Sequence, residues 1–137
     1  MEVYTLENDL ELFCVTARSF PHEIKEAFDR LVRLIGGTDG RTFFGISYQT
    51  DRGEIIYKAA VQELQPGEGE ELGCESFRLE KGDYITETLI NWMEDPRSIG
   101  TTFMKMVDSL PETIFPCVEW YKGDDVMCMV RLEPAKK

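Results

Sequence analysis

Histidine occurs once, at His22, and none of the four cysteines (Cys14, Cys74, Cys117 and Cys128) stands in a CxxC pair. Zinc clusters and dithiol redox motifs need such ligands at short spacings, so no metal or other cofactor is expected. Basic residues are also scarce: Lys plus Arg total 15 against 26 Asp plus Glu, a formal net charge of −11. A field of that sign repels phosphate backbones and attracts cations, so direct nucleic-acid binding is not expected. Such an excess also serves plain solubility and by itself names no ligand. No segment approaches the roughly 18 apolar residues of a membrane-spanning helix. Met1 to Leu10 has neither a basic start nor an apolar run, so no export signal or anchor is expected. The sequence has no GxSxG, no cysteine with a plausible histidine partner and no phosphate-binding loop, and His22 reads as exposed at a helix start. Three cysteines lie in apolar strand-like runs, where a thiol behaves as a small hydrophobe, which fits a reduced, cytoplasmic protein without a membrane partner.

What is present suffices for one domain. The chain has 137 residues, 42% of them apolar, with 8 Phe, 5 Tyr and 2 Trp, enough to bury a core without disulfides or metal. Leu12 to Ala17 is strand-like, and Ser19-Phe20-Pro21 punctuates it. Ile24, Ala27, Phe28, Leu31 and Ile35 then fall on one helical face, and Gly36-Gly37 offers the left-handed residue that ends a helix. Arg41 to Gln49 and Gly53 to Val61 are rich in β-formers and flank Thr50-Asp51-Arg52, the pattern of a hairpin.

The stretch LQPGEGEELG from Leu64 to Gly73 holds three glycines, one proline and three glutamates, and residues 64–72 read as an acidic, glycine-rich linker. Beyond it come a strand over Glu75 to Leu79, a turn at Lys81-Gly82-Asp83 and a strand over Tyr84 to Leu89. Asp95-Pro96 supplies an N-cap followed by proline at the first helical position. Ile99, Phe103, Met106, Val107 and Leu110 make the second amphipathic helix, stopped by Pro111. Phe115 to Tyr121 and Val126 to Leu132 flank Lys122-Gly123-Asp124-Asp125 as a second hairpin.

The two halves thus repeat one order of elements, with pseudo-repeats of about 1–63 and 73–134. Phe28 in AFDRL matches Phe103 in TFMKM, and RTFFGISY matches TIFPCVEWY with Ile46 laid on Val118. The expected fold is α+β: duplicated ββαββ halves, antiparallel sheets with helices on one side, and a ligand cleft between the halves.

The repeat provides an internal control, because a residue demanded by the fold should occur in both halves. Glu119 has Ser47 as its counterpart, so no carboxylate is needed there to build the hairpin. It sits mid-strand among apolar residues, where a carboxylate is out of place. Alternation places Cys117, Glu119 and Tyr121 on one face and Val118 with Trp120 on the other. If the second face packs on the helix, the first looks into the cleft. The plainer alternative is a half-exposed Glu119 paired with Arg131 or Lys58.

The arrangement resembles the GyrI-like small-molecule-binding family, the effector-binding domain of multidrug-responsive transcription activators. The residues that carry the resemblance are the ββαββ repeat, LEKGDY opening the second half, the helix with Phe103, and PCVEWY, which follows the family pattern P-x-x-E-x-Y. The resemblance covers nearly the whole chain. It implies that Glu119 lies at the bottom of an aromatic-lined cleft as counter-charge for amphipathic cations, in xenobiotic sensing or sequestration. The walls would come from Tyr121, Trp92, its counterpart Phe20, Tyr48, Tyr57 and Tyr84. No helix-turn-helix is expected ahead of the domain, so a regulatory role is expected to need a separate chain. Stand-alone relatives offer two further readings: hydrolysis of strained, electrophilic xenobiotics, with Glu119 and Tyr121 as the catalytic pair, and a protein partner such as gyrase.

Overall fold

The computed structural model describes residues 1–50, 52–109 and 114–132. Its elements are β1 (Glu2–Leu6), β2 (Leu10–Thr16), α1 (Ile24–Ile35), β3 (Phe43–Gln49), β4 (Ile55–Gln62), α2 (Glu68–Glu71), β5 (Glu75–Leu79), β6 (Gly82–Leu89), a 3₁₀ turn at Trp92–Glu94, α3 (Arg97–Ser109), β7 (Ile114–Lys122) and β8 (Asp125–Arg131). The α+β expectation holds. Helix α1 occupies the span its apolar stripe predicts, and Gly36 closes it in the left-handed conformation with its N–H bonded to the Val32 carbonyl. Helix α3 begins at Arg97, one residue beyond Pro96, and Ser98 bonds back to the Asp95 carbonyl. The stop expected from Leu110 and Pro111, like Asp51 in the first hairpin turn, lies outside the described residues.

The linker departs from its composition. Residues Glu68–Glu71 form one helical turn, because three outside contacts supply what its glycines do not. Arg41 grips the Glu68 carboxylate with both terminal guanidinium nitrogens, Gly69 donates to Glu63, and Gly69 packs directly under the Phe13 ring.

All eight strands join one antiparallel sheet in the order β1-β6-β8-β7-β3-β4-β2-β5. That order maps onto itself when β1–β4 exchange with β5–β8. The exchange relates β3 to β7 about the sheet's centre, where Ile46 faces Val118 across the strands. The first two strands of each half do not pair with one another: β1 crosses to β6, and β5 crosses to β2. Each half therefore supplies the other's edge.

Three clusters form the core. Ala27 and Leu31 of α1 pack on Phe13, Val15, Ala59 and Val61. Ile99, Phe103 and Met106 of α3 pack on Cys117, Val126, Cys128 and Val130, on the same side of the sheet. The third cluster lies on the helix-free side and draws residues from all eight strands, including Leu6 and Leu79 of the two edge strands. Eight strands laid flat would span roughly 34 Å at ordinary spacing, so edges that share one cluster require a strongly curled sheet. The sheet buries its concave face against itself and its convex face under two helices.

Candidate functional site

The two helices cover the outer strands of their own halves, and between them the central pair β3–β7 carries the site. Cys117, Glu119 and Tyr121 do share a face, as alternation predicts, but it is the face on which α3 packs. Val118 and Trp120 point to the concave side. The conditional expectation that the Val118 face meets the helix is thus corrected. Strands β7 and β8 are covered on both faces, and alternation alone cannot say which cover is helical.

Glu119 is 8% exposed. Its Oε1 accepts hydrogen bonds from two phenols, Tyr57 at 2.8 Å and Tyr121. No ion pair reaches it among the described residues. The partners considered from sequence are committed elsewhere: Lys58 pairs with Glu75, and Arg131 with Glu80. Burial raises the Glu119 pKa above the ordinary carboxyl value, and the two phenol hydrogen bonds only partly oppose it. Burial, with the Glu119 charge next in weight, also pushes both Tyr57 and Tyr121 up, so they remain hydrogen-bond donors. Cys117 and Cys128 flank the carboxylate with pKa values pushed up to about 12, chiefly by burial, and act as inert apolar groups.

Aromatic rings enclose this node. Phe28 from α1 sits edge-on to both phenols, with centroids 6.2 Å from Tyr57 and 6.0 Å from Tyr121. Phe20 stacks on Tyr57 at 6.0 Å and Trp92 leans on Tyr121 at 5.3 Å. The two residues matched from sequence as counterparts thus flank the carboxylate from opposite halves. Trp92 is held by the β7–β8 turn, its N–H bonded to the Asp124 carbonyl and that of Asn91 to the Asp125 carboxylate. A groove of about 450 Å³ lined by Ala17, Arg18, Ser19, Glu54, Ile55 and Ile56 also has Phe20 in its wall.

Of the expected site residues, the structure brings together Glu119, Tyr121, Trp92, Phe20 and Tyr57. Tyr48 and Tyr84 are not among them. Tyr84 lies in the concave cluster with its hydroxyl on the Glu80 carbonyl at 2.5 Å, and Tyr48 lies beneath the Lys58 ammonium on that same side. Two residues of the site were not singled out from sequence, Phe28 and Gly45. Phe28 fits the apolar stripe of α1 as well as any core residue. Gly45, directly opposite Glu119 in the β3–β7 register, carried a readable signal: a glycine amid β-formers.

No protein-family model matches the chain, and no curated protein sequence is similar to it. Solved structures are similar. An integron cassette protein from the mobile metagenome of Vibrio cholerae superposes with a TM-score of 0.68 at 14% identity, covering 96% of this chain and 95% of that one. A protein named SAV2435, solved bound to tetraphenylphosphonium, gives 0.63 at 13% identity, covering 95% and 93%. A hydrolase from Listeria innocua gives 0.58 at 10% identity, covering 94% and 89%. The chain shares the fold of these proteins, and within it holds a buried carboxylate ringed by aromatics. At such identities the likeness extends to the fold and no further.

Proposed function

We propose that this chain is a GyrI-like domain that binds amphipathic aromatic cations at Glu119, in xenobiotic sensing or sequestration. The observation that carries this reading is a buried carboxylate whose hydrogen-bond donors are neutral phenols and which has no cation partner among the described residues. Such a group costs several kcal/mol to bury when ionised. A delocalised organic cation offsets that cost because it is itself weakly hydrated, and each good ring contact adds about 0.5–2 kcal/mol. The bound tetraphenylphosphonium in SAV2435 supports the ligand class. The surrounding rings pack against one another, so a bulky ligand enters by displacing them, and Tyr121 and Phe20, more exposed than Tyr57, are the ones free to yield. The self-mapping strand order further supports reading the two halves as an internal duplication.

A second reading, hydrolysis of a strained electrophile, draws on the Listeria hydrolase fold and on the raised Glu119 pKa, which suits a proton donor. One experiment separates the two. Protein is titrated with tetraphenylphosphonium and with a panel of strained electrophiles, and the mass of each recovered compound is recorded. Binding with unchanged mass supports the first reading, gain of one water dependent on Glu119 supports the second, and neither event excludes both.

A further inference from the structure

Gly45 occupies the middle of β3, paired without a break to Ala59 on one side and Glu119 on the other. Its backbone stays out of the left-handed region, so no turn or bulge calls for glycine there. An interior strand glycine weakens the strand and marks a place where something approaches closely. Here the approaching groups are the site itself. A Cβ on Gly45 would overlap the Tyr57 hydroxyl, and would stand 2.5 Å from Glu119 Oε1 and 2.8 Å from Tyr57 Cζ.

The sheet contains its own control. Exchanging the two halves carries Gly45 to Cys117, whose cross-strand partner is Ser47 where Gly45 faces Glu119. Cys117 accommodates a Cβ and a sulfur at 3% exposure. The strand pairing at the sheet's centre therefore tolerates a side chain, and it is the Tyr57–Glu119 contact that does not.

We propose that Gly45 is a positioning residue of the Glu119 site: its missing side chain is the space in which the Tyr57 hydroxyl and the Glu119 carboxylate meet, and a larger residue uncouples them and weakens cation binding. Only that last step rests on the function proposed above. The titratable groups facing Glu119 are Tyr57 from β4, Tyr121 and Cys117 from β7, and Cys128 from β8. The helices contribute Phe28, Ile99, Phe103 and Met106 to this side of the sheet, all uncharged. Of these groups only the two phenols donate to the carboxylate, so loss of the Tyr57 bond leaves its ionised form less stabilised.

The test is a mutational cycle on the full chain. Gly45→Ala is made in the wild type and in a Tyr57→Leu, Glu119→Ala background, and thermal midpoints are compared. In the wild type the substitution lowers the midpoint by roughly 5 °C or prevents folding. In the background, where the obstructing atoms are gone, it is neutral or raises the midpoint. An equal loss in both overturns the proposal. In ligand-free Gly45→Ala, the infrared carboxyl band of Glu119 titrates at higher pH than in the wild type, and tetraphenylphosphonium binds at least tenfold more weakly. An unchanged carboxyl midpoint with wild-type affinity overturns it too. If the wild type itself does not bind tetraphenylphosphonium, the cation-binding reading fails, while the cycle and the carboxyl titration still decide the role of Gly45.

Discussion

Among the described residues, Lys58 at 6% and Glu119 at 8% exposure are two charged residues buried to nearly the same degree, and they are satisfied in opposite ways. Lys58 lies on the concave side of β4 with its ammonium on the Glu75 carboxylate and over the Tyr48 ring. Burial alone lowers its pKa, but the Glu75 hydrogen bond and nearby charges outweigh that, and the net shift is upward. Its charge is matched within the protein. Glu119, on the convex side of β7, has two phenols and, among the described residues, no cation, and its pKa rises because the two hydrogen bonds only partly offset burial. A buried charge with an opposite charge beside it serves the fold, and one that holds only neutral donors can accept a charge from outside.

The largest expected effect breaks this contrast at its source. Glu119→Gln keeps the shape and removes the charge, so tetraphenylphosphonium affinity measured by calorimetry falls about 100-fold, equivalent to ~2.7 kcal/mol. Folding stability in denaturant holds steady or rises, because an unpaired buried charge has been removed. The converse change acts on the other residue. Glu75→Ala leaves Lys58 buried without its carboxylate and costs roughly 1–3 kcal/mol of stability, with cation affinity unchanged.

A titration sharpens the same contrast. The folded pKa of Glu119 lies above its ordinary value of 4.5, so between those two values the native chain holds a proton that the unfolded chain has lost. The Glu119 contribution to stability therefore declines as pH rises through that window and is constant above it, while cation affinity climbs across the same window. Denaturant midpoints and binding isotherms at stepped pH should show both trends in the wild type and neither in Glu119→Gln. The smallest effect comes from the concave face. Tyr48→Phe and Tyr84→Phe leave cation binding as it was, and Tyr84→Phe alone loses about 1 kcal/mol from its hydrogen bond to Glu80.

Much of this was readable from residues. The periodicity of Ile24 to Ile35 and the Gly36 stop place α1, both β-hairpins follow from paired strand runs around turn residues, and laying Ile46 on Val118 finds the two residues that face each other at the sheet's centre. The crossing of β1 to β6 and β5 to β2 was not readable, because alternation describes the faces of a strand and not its neighbours. The covering of Glu119 was misjudged for a related reason: Val126 to Val130 is buried at every position, so the strand beside it carries no polar face to show which side meets a helix. Glu119 was legible as an exception between the halves, Tyr121 as its neighbour on the same strand face, and Trp92 and Phe20 as residues flanking the helices. Phe28 was hidden in a stripe that a core helix would also show.

Whether the site recognises positive charge through Glu119 is decided by ions of matched shape. Tetraphenylphosphonium and tetraphenylborate present nearly the same four-ring surface with opposite charge, and each can be titrated into the wild type and Glu119→Gln at a pH where the carboxylate is ionised. The wild type is expected to bind the phosphonium and reject the borate, and the substitution to remove the preference. Equal binding of both ions by the wild type, or a preference that survives Glu119→Gln, would contradict it.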